Sequence, residues 1–259
     1  MHPLLKKRGF IVDIDGVVGR SVEPIEEGVR GVLKLLNAGK RVVFVSNNST
    51  RSRRILLERL KSFGIPTTEI DVVSATHATA SFIAKEKPKA KIFTTGEAGL
   101  KEELVNSGLE LVDYRDAEYL VVGSNRNLNY DLMTKALRCC LRGVRYIATN
   151  PDKIFPSEDG PTPGTGLIIG ALYWMTGRLP DVVVGKPSKV IMIEALQKLN
   201  LKPEEVVVVG DQIEVDVVAG KRIGAETLLV LTGVTRREDI ENSETKPDYV
   251  LNSLEDLFN

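Results

Sequence analysis

Phe10-Ile11-Val12-Asp13-Ile14-Asp15-Gly16-Val17-Val18 is a short apolar run that ends in two carboxylates and a glycine. A run of this kind, closed by a turn signal, predicts a strand buried on both faces, as in a parallel sheet. In open parallel sheets the ligand crevice lies beyond the carboxyl ends of the strands, which is where Asp13 and Asp15 fall. Side chains two apart on a strand project to the same side, so the pair converges on one small volume unless the chain turns sharply between them. Carboxylates that close repel each other, and an oxygen-preferring cation such as Mg²⁺ would relieve the repulsion. Gly16 lets the backbone turn and bring bare N–H groups near a bound anion. Alone, Asp-x-Asp-Gly suits a helix cap and a solvated strand end just as well. The rest of the chain decides.

Residues 24–37 carry Val29, Val32, Leu33 and Leu36, the spacing of one helix face, and stop at Ala38-Gly39. Arg41-Val42-Val43-Phe44-Val45 is a second buried strand, tipped by Ser46-Asn47-Asn48-Ser49-Thr50. A strand, a helix and a strand this close make a βαβ unit, whose right-handed crossover puts both polar tips along one sheet edge. Arg51 opens the next helix, with Ile55, Leu56 and Leu60 as its core face, and a third short strand follows at residues 71–74. The pattern then restarts, with strands at 91–95, 109–112, 119–123 and 145–149 and helices between them. A proline- and glycine-rich loop, residues 151–166, leads to an apolar helix ending at Thr176-Gly177. The final quarter returns to the opening rhythm: Asp181-Val182-Val183-Val184 is tipped by Gly185-Lys186-Pro187, and Glu205-Val206-Val207-Val208-Val209-Gly210 by Asp211, with Asp216 in the next helix. The expected architecture is α/β, a doubly wound, mostly parallel sheet in two pieces, residues 1–78 and 181–259, flanking an α/β insert at 79–180.

Lys plus Arg and Asp plus Glu balance at 35 each, so nothing points to a nucleic-acid surface, and small-molecule chemistry is the better prior. Cys139 and Cys140 are neighbours in a helical pattern, about 100° apart around the axis, which suits neither a disulfide framework nor a metal site. They read as small core residues in a reducing cytoplasm. Residues 1–9 are too short and basic for a signal peptide, and the longest apolar run, residues 167–175, is about half a bilayer span. No membrane is implied. That run reads as a buried or interface helix, and a homodimer is one expectation for it. His2 and His77 have no partners at ligand spacing.

Polar tips thus stand at four strand ends: Asp13 with Asp15, Ser46, Lys186 and Asp211. Phosphoryl transfer needs a nucleophile in line with the leaving oxygen, donors for the equatorial oxygens and a cation against the charge. Each need has a candidate here. The set, in this order, resembles the haloacid dehalogenase superfamily of aspartate-nucleophile phosphatases. Ser46-Asn47-Asn48-Ser49-Thr50, Ala148-Thr149-Asn150-Pro151-Asp152, Pro163-Gly164-Thr165-Gly166 and Gly185-Lys186-Pro187 are similar to its NagD and 4-nitrophenylphosphatase branch, across nearly the whole chain. The resemblance implies a doubly wound core with a large inserted α/β cap. It implies Asp13 as nucleophile and Asp15 as general acid/base, with the Asp15 backbone carbonyl facing the metal. Gly16, Ser46 and Lys186 would hold the phosphoryl group, with Asn47 and Asn48 beside it. Asp211 and Asp13 would bind Mg²⁺, Asp216 would orient that site or Lys186 from behind, and Asn150 and Asp152 would reach the substrate from the cap. Asn47 and Asn48 suit plain turns as well, and so does Asn-Pro-Asp. Val215 stands where relatives often carry threonine.

The implied activity is Mg²⁺-dependent hydrolysis of a small phosphorylated metabolite, and of aryl phosphates such as 4-nitrophenyl phosphate, through an aspartyl phosphate. A phosphotransferase or mutase using the same intermediate, and a silent phosphometabolite-binding regulator, are the alternatives. Asp15 speaks against the last, because a long-lived acyl phosphate is better served by a residue that cannot activate water.

Overall fold

The structure, a computed structural model, describes residues 2–68, 71–155 and 160–259. Part of the loop expected over residues 151–166 lies outside them. The chain divides into two compact units: Met1–Ser46, Leu56–Val73 and Lys186–Asn259 form one, Asn47–Ile55 and Ser74–Gly185 the other.

The first unit is built on a six-stranded sheet in the order Tyr249–Leu251, Glu226–Val230, Val206–Gly210, Gly9–Asp13, Arg41–Ser46, Val72–Ser74. Gly9–Asp13 is therefore central, parallel to both neighbours, with Phe10 level with Val42 on one side and Val207 on the other. All its residues are buried, which is why its sequence shows no polar alternation. The chain leaves this strand to one side and later returns on the other. That reversal between Gly9–Asp13 and Val206–Gly210 is the topological switch point at which a crevice opens in a doubly wound sheet.

Helix Glu26–Asn37 packs Val29, Val32 and Leu35 into the core, with Leu33 and Leu36 at its margin. Helix Arg53–Ser62 differs from expectation: it begins at Arg53, buries Leu56, Leu57 and Leu60, and leaves Ile55 at the surface. Its buried face is centred further along the turn than the spacing of Ile55, Leu56 and Leu60 suggested. Arg59 consequently lies on the buried side.

The second unit has a five-stranded parallel sheet in the order Val182–Val183, Arg145–Ala148, Tyr119–Val122, Lys91–Thr94, Glu110–Leu111. Helices Ala75–Glu86, Ala98–Asn106, Tyr130–Leu141 and Gly166–Thr176 accompany it. Val182–Val183 corrects the sequence reading, which placed it with the closing quarter of the chain. It pairs with Arg145–Ala148, and the second unit runs to Gly185. Apolar spacing marks a strand but does not name its partner. Cys139 and Cys140 are buried beside Phe93, Leu120 and Tyr146, and burial pushes the Cys139 thiol up to about 11. The 166–176 helix sinks Ile168 and Leu172 into the core and leaves Trp174 90% exposed. Among the described residues no helix is long and apolar enough to cross a membrane.

Candidate active site

The site grows from the two central strand ends of the first unit. Gly9–Asp13 delivers Asp13, 7% exposed, at its carboxyl end. The next strand, Val206–Gly210, ends one residue before Asp211, which is 1% exposed. A π-helical turn, Ile213–Val217, then carries Asp216 back beside the strand: its N–H donates to the Gln212 carbonyl at 2.8 Å, and its Oδ2 accepts the Gln212 N–H at 3.1 Å. Such widened turns recur at functional sites because they redirect single side chains. Gly210 makes the approach possible, since a Cβ there would lie 2.1 Å from the Asp216 carboxyl carbon. Lys186, three residues beyond Val182–Val183 and 2% exposed, completes the group.

Lys186 Nζ stands 2.7 Å from Asp13 Oδ1 and 2.7 Å from Asp216 Oδ1. Asp13, Asp211 and Asp216 offer carboxylate oxygens within 4.8 Å of one another. Three buried carboxylates against one ammonium leave an excess of negative charge where water cannot screen it. Burial therefore pushes the Asp13 carboxyl well above its usual range; the Lys186 charge opposes this, and those of Asp216 and Asp211 add to it. Asp211 is pushed up to about 7, first by burial and then by the Asp216 charge. Burial alone would depress the Lys186 ammonium, yet Asp13 and Asp216 outweigh it and hold the ammonium above its ordinary value.

Asp211 is clamped. Its Oδ2 accepts the Val234 N–H at 2.7 Å, whereas Oδ1 is buried with no hydrogen-bond partner among the described residues. The clamp needs two glycines: a Cβ at Gly16, where φ is +88°, would sit 2.4 Å from the Asp211 carboxyl carbon, and one at Gly233 would sit 1.9 Å from Oδ2. An orphaned carboxylate oxygen in a cluster with surplus negative charge fits a hard divalent cation. Asp13 and Asp211 would hold it.

This arrangement has a consequence for stability. Between the unfolded value near 3.8 and about 7, the folded chain holds more protons at Asp211 than the unfolded chain, so stability falls as pH rises through that window. Glu97 and Glu103 have lowered carboxyls, whose contribution is complete above about pH 5 and constant beyond. Cation-free protein is therefore expected to melt at lower temperature at pH 8 than at pH 5.5, and Mg²⁺ to raise the midpoint more at pH 8. Scanning calorimetry at both pH values with and without Mg²⁺ checks this; an equal Mg²⁺ shift at the two pH values contradicts it.

Asp15 parts company with Asp13. The chain turns at once, with Gly19 N–H donating to the Ile14 carbonyl at 3.0 Å and Gly16 N–H to the Gly19 carbonyl at 2.9 Å. The Asp15 carboxylate lies outside the three-carboxylate cluster, its side chain 47% exposed, and Oδ1 accepts from Arg59 Nη1 at 2.7 Å. Ser46 is buried at the end of Arg41–Ser46, next to the central strand. Lys186 stands beyond a strand of the second sheet, not of the first.

The remaining sequence candidates fall in the second unit. Asn47 Nδ2 donates to Asp152 Oδ1 at 2.9 Å, Asn150 Nδ2 donates to the Asn47 carbonyl, and Asp152 N–H donates to Asn150 Oδ1 at 3.2 Å. These three residues form one cluster. Asn48 Oδ1 accepts the N–H groups of Thr50 and Arg51 at 3.0 and 2.9 Å. Sequence reasoning missed Arg59, Gly233 and the Val234 N–H. For Arg59 a signal existed, a charge between Leu56 and Leu60 on an apolar helix face; for Gly233 and Val234 there was none.

A family model described as haloacid dehalogenase-like hydrolase matches residues 10–110, and a second, described as "HAD-hyrolase-like", matches residues 183–257. The 5'-nucleotidase YutF of Bacillus subtilis (strain 168) is 36% identical over 247 residues, 95% of this chain and 96% of its own. The chain belongs to the haloacid dehalogenase-like hydrolases. Among solved structures, the p-nitrophenyl phosphatase from Archaeoglobus fulgidus is 70% identical, with a TM-score of 0.95 over 97% of this chain and 98% of that one. NagD from E. coli K-12 is 30% identical, with a TM-score of 0.87 over 96% and 98%. The chain is a phosphatase of the NagD-like branch of this family, and the doubly wound, mostly parallel fold read from its sequence is the fold it has.

Proposed function

We infer that this NagD-like phosphatase hydrolyses phosphomonoesters of small metabolites, and aryl phosphates such as 4-nitrophenyl phosphate, through a phosphorylated Asp13 with Mg²⁺ as cofactor. The observation that carries the reading is Asp13 at the switch point, its Oδ1 gripped by Lys186 Nζ at 2.7 Å beside Asp211, whose Oδ1 has no hydrogen-bond partner among the described residues. Relatives bearing the names 5'-nucleotidase and p-nitrophenyl phosphatase support the substrate range.

Asp13 attacks phosphorus, the bond from phosphorus to the ester oxygen breaks, and its electron pair stays on the leaving oxygen, which takes a proton from Asp15. Water then gives a proton to the Asp15 carboxylate as its oxygen attacks the same phosphorus, and the bond to Asp13 breaks, restoring both side chains. Lys186 and Ser46 hold phosphoryl oxygens, and Asp216 keeps Lys186 in place. Mg²⁺, when bound by Asp13, Asp211 and the Asp15 carbonyl, supplies neutralisation of phosphoryl charge. Asn47, Asn150 and Asp152 recognise the leaving group.

Acid quenching during turnover of a substrate with a radiolabelled phosphoryl group tests the intermediate. Label is expected on the protein, labile to hydroxylamine as an acyl phosphate is, and absent from Asp13→Asn. Label retained in that variant would place the nucleophile elsewhere.

A further inference from the structure

Arg59 is 8% exposed on the inner face of helix Arg53–Ser62. Nη1 donates to Asp15 Oδ1 at 2.7 Å, while Nε and Nη2 are buried with no hydrogen-bond partner among the described residues. The guanidinium lies over the Phe63 ring, 5.4 Å from its centre, and a Cβ at Gly19 would meet that ring at 2.6 Å and Nη2 at 2.8 Å. It is boxed in, facing one acceptor.

Stability does not account for it. A buried guanidinium with two nitrogens unsatisfied is costly, and leucine or methionine would fill the same helix face without that cost. The ion pair returns little, because the Asp15 side chain is 47% exposed and solvent screens the attraction. What the pairing does supply is orientation. A planar guanidinium held by packing presents its N–H groups in a fixed fork. It can hold one oxygen of Asp15 and leave the other oxygen to face the substrate.

We propose that Arg59 is a positioning residue for Asp15, holding it through Oδ1 so that Oδ2 meets the leaving-group oxygen. The proposal rests on Asp15 as general acid/base. Arg59 itself touches neither substrate nor metal.

The test uses the demand of the leaving group for a proton. Nitrophenolate departs without one, whereas an alkoxide does not, and kcat/KM reports the steps up to that departure. Arg59→Met is expected to lower kcat/KM for an alkyl phosphate such as glycerol phosphate by about 10²-fold, and for 4-nitrophenyl phosphate by about 3-fold or less. Arg59→Lys, which keeps a donor in the same packing, recovers most of the alkyl phosphate activity and serves if the methionine variant does not fold. Equal losses on both substrates that track a fall in melting temperature assign Arg59 a structural role and overturn the proposal, as does no loss on either. Asp15→Asn separates the two readings. If that variant loses alkyl phosphate turnover while Arg59→Met does not, only the positioning role fails. If it keeps the wild-type ratio of alkyl to aryl rates, the role given to Asp15 fails and the proposal with it.

Discussion

Asp13→Asn is expected to lower 4-nitrophenyl phosphate turnover by about 10⁴-fold or more while leaving the fold intact. The amide matches the carboxylate in shape but cannot form the acyl phosphate, so chemistry through the intermediate stops. Stability moves the other way. Asp13 is a carboxyl that burial pushes well above its usual range, so ionising it at pH 8 costs the folded state free energy that a neutral amide does not. Lys186 still has Asp216 at 2.7 Å, so the substitution leaves no ammonium unpaired. Cation-free Asp13→Asn is accordingly expected to melt at or above the wild-type temperature at pH 8. Loss of activity with unchanged or raised stability separates a reacting group from a structural one. A variant that keeps its rate ends the nucleophile assignment.

Lys186→Ala is expected to fail on both counts. Lys186 is 2% exposed and bridges Asp13 and Asp216, so its removal leaves three buried carboxylates with no ion-paired side-chain cation among the described residues. Breaking a buried pair by deleting one partner costs about 3–5 kcal/mol, which for a chain of this size lowers the melting temperature by roughly 10 °C. The deficit should be largest at pH 8 without divalent cation and shrink at pH 5.5, where protonation of Asp211 removes part of the repulsion. Activity should fall by about 10²- to 10³-fold with saturating Mg²⁺, the effect of losing one charged donor to the transferring group. Thermal melts at the two pH values and steady-state rates check both halves. A variant with wild-type midpoint and rate would mean that the ammonium neither neutralises the cluster nor meets the phosphoryl group.

Much of this was written into single stretches of sequence. A short apolar run with no polar alternation, closed by a turn signal, reads as a strand covered on both faces, so residues 10–13 and 206–210 announced central strands of a parallel sheet, and the acids after them fell at its carboxyl ends. Asp13 and Asp211 were legible because an acid closing an apolar run has no cheaper explanation once its companions are found. Lys186 and Asp216 were legible through motif order and family resemblance, not through spacing.

Tertiary structure decided the rest. Val182–Val183 joined the second sheet because pairing depends on what lies alongside, which apolar spacing does not record. Asp15 left Asp13 and turned to Arg59, a residue 44 positions away along the chain. Asp211 owes its orientation to the Val234 N–H and to the empty space at Gly16 and Gly233, main-chain features with no side chain to read. Sequence periodicity measures how one segment meets its surroundings, averaged over a face. Which atoms of distant segments come within hydrogen-bonding reach is a property of the closed fold, and there alone the surplus charge of the cluster and the grip on Asp15 came into being.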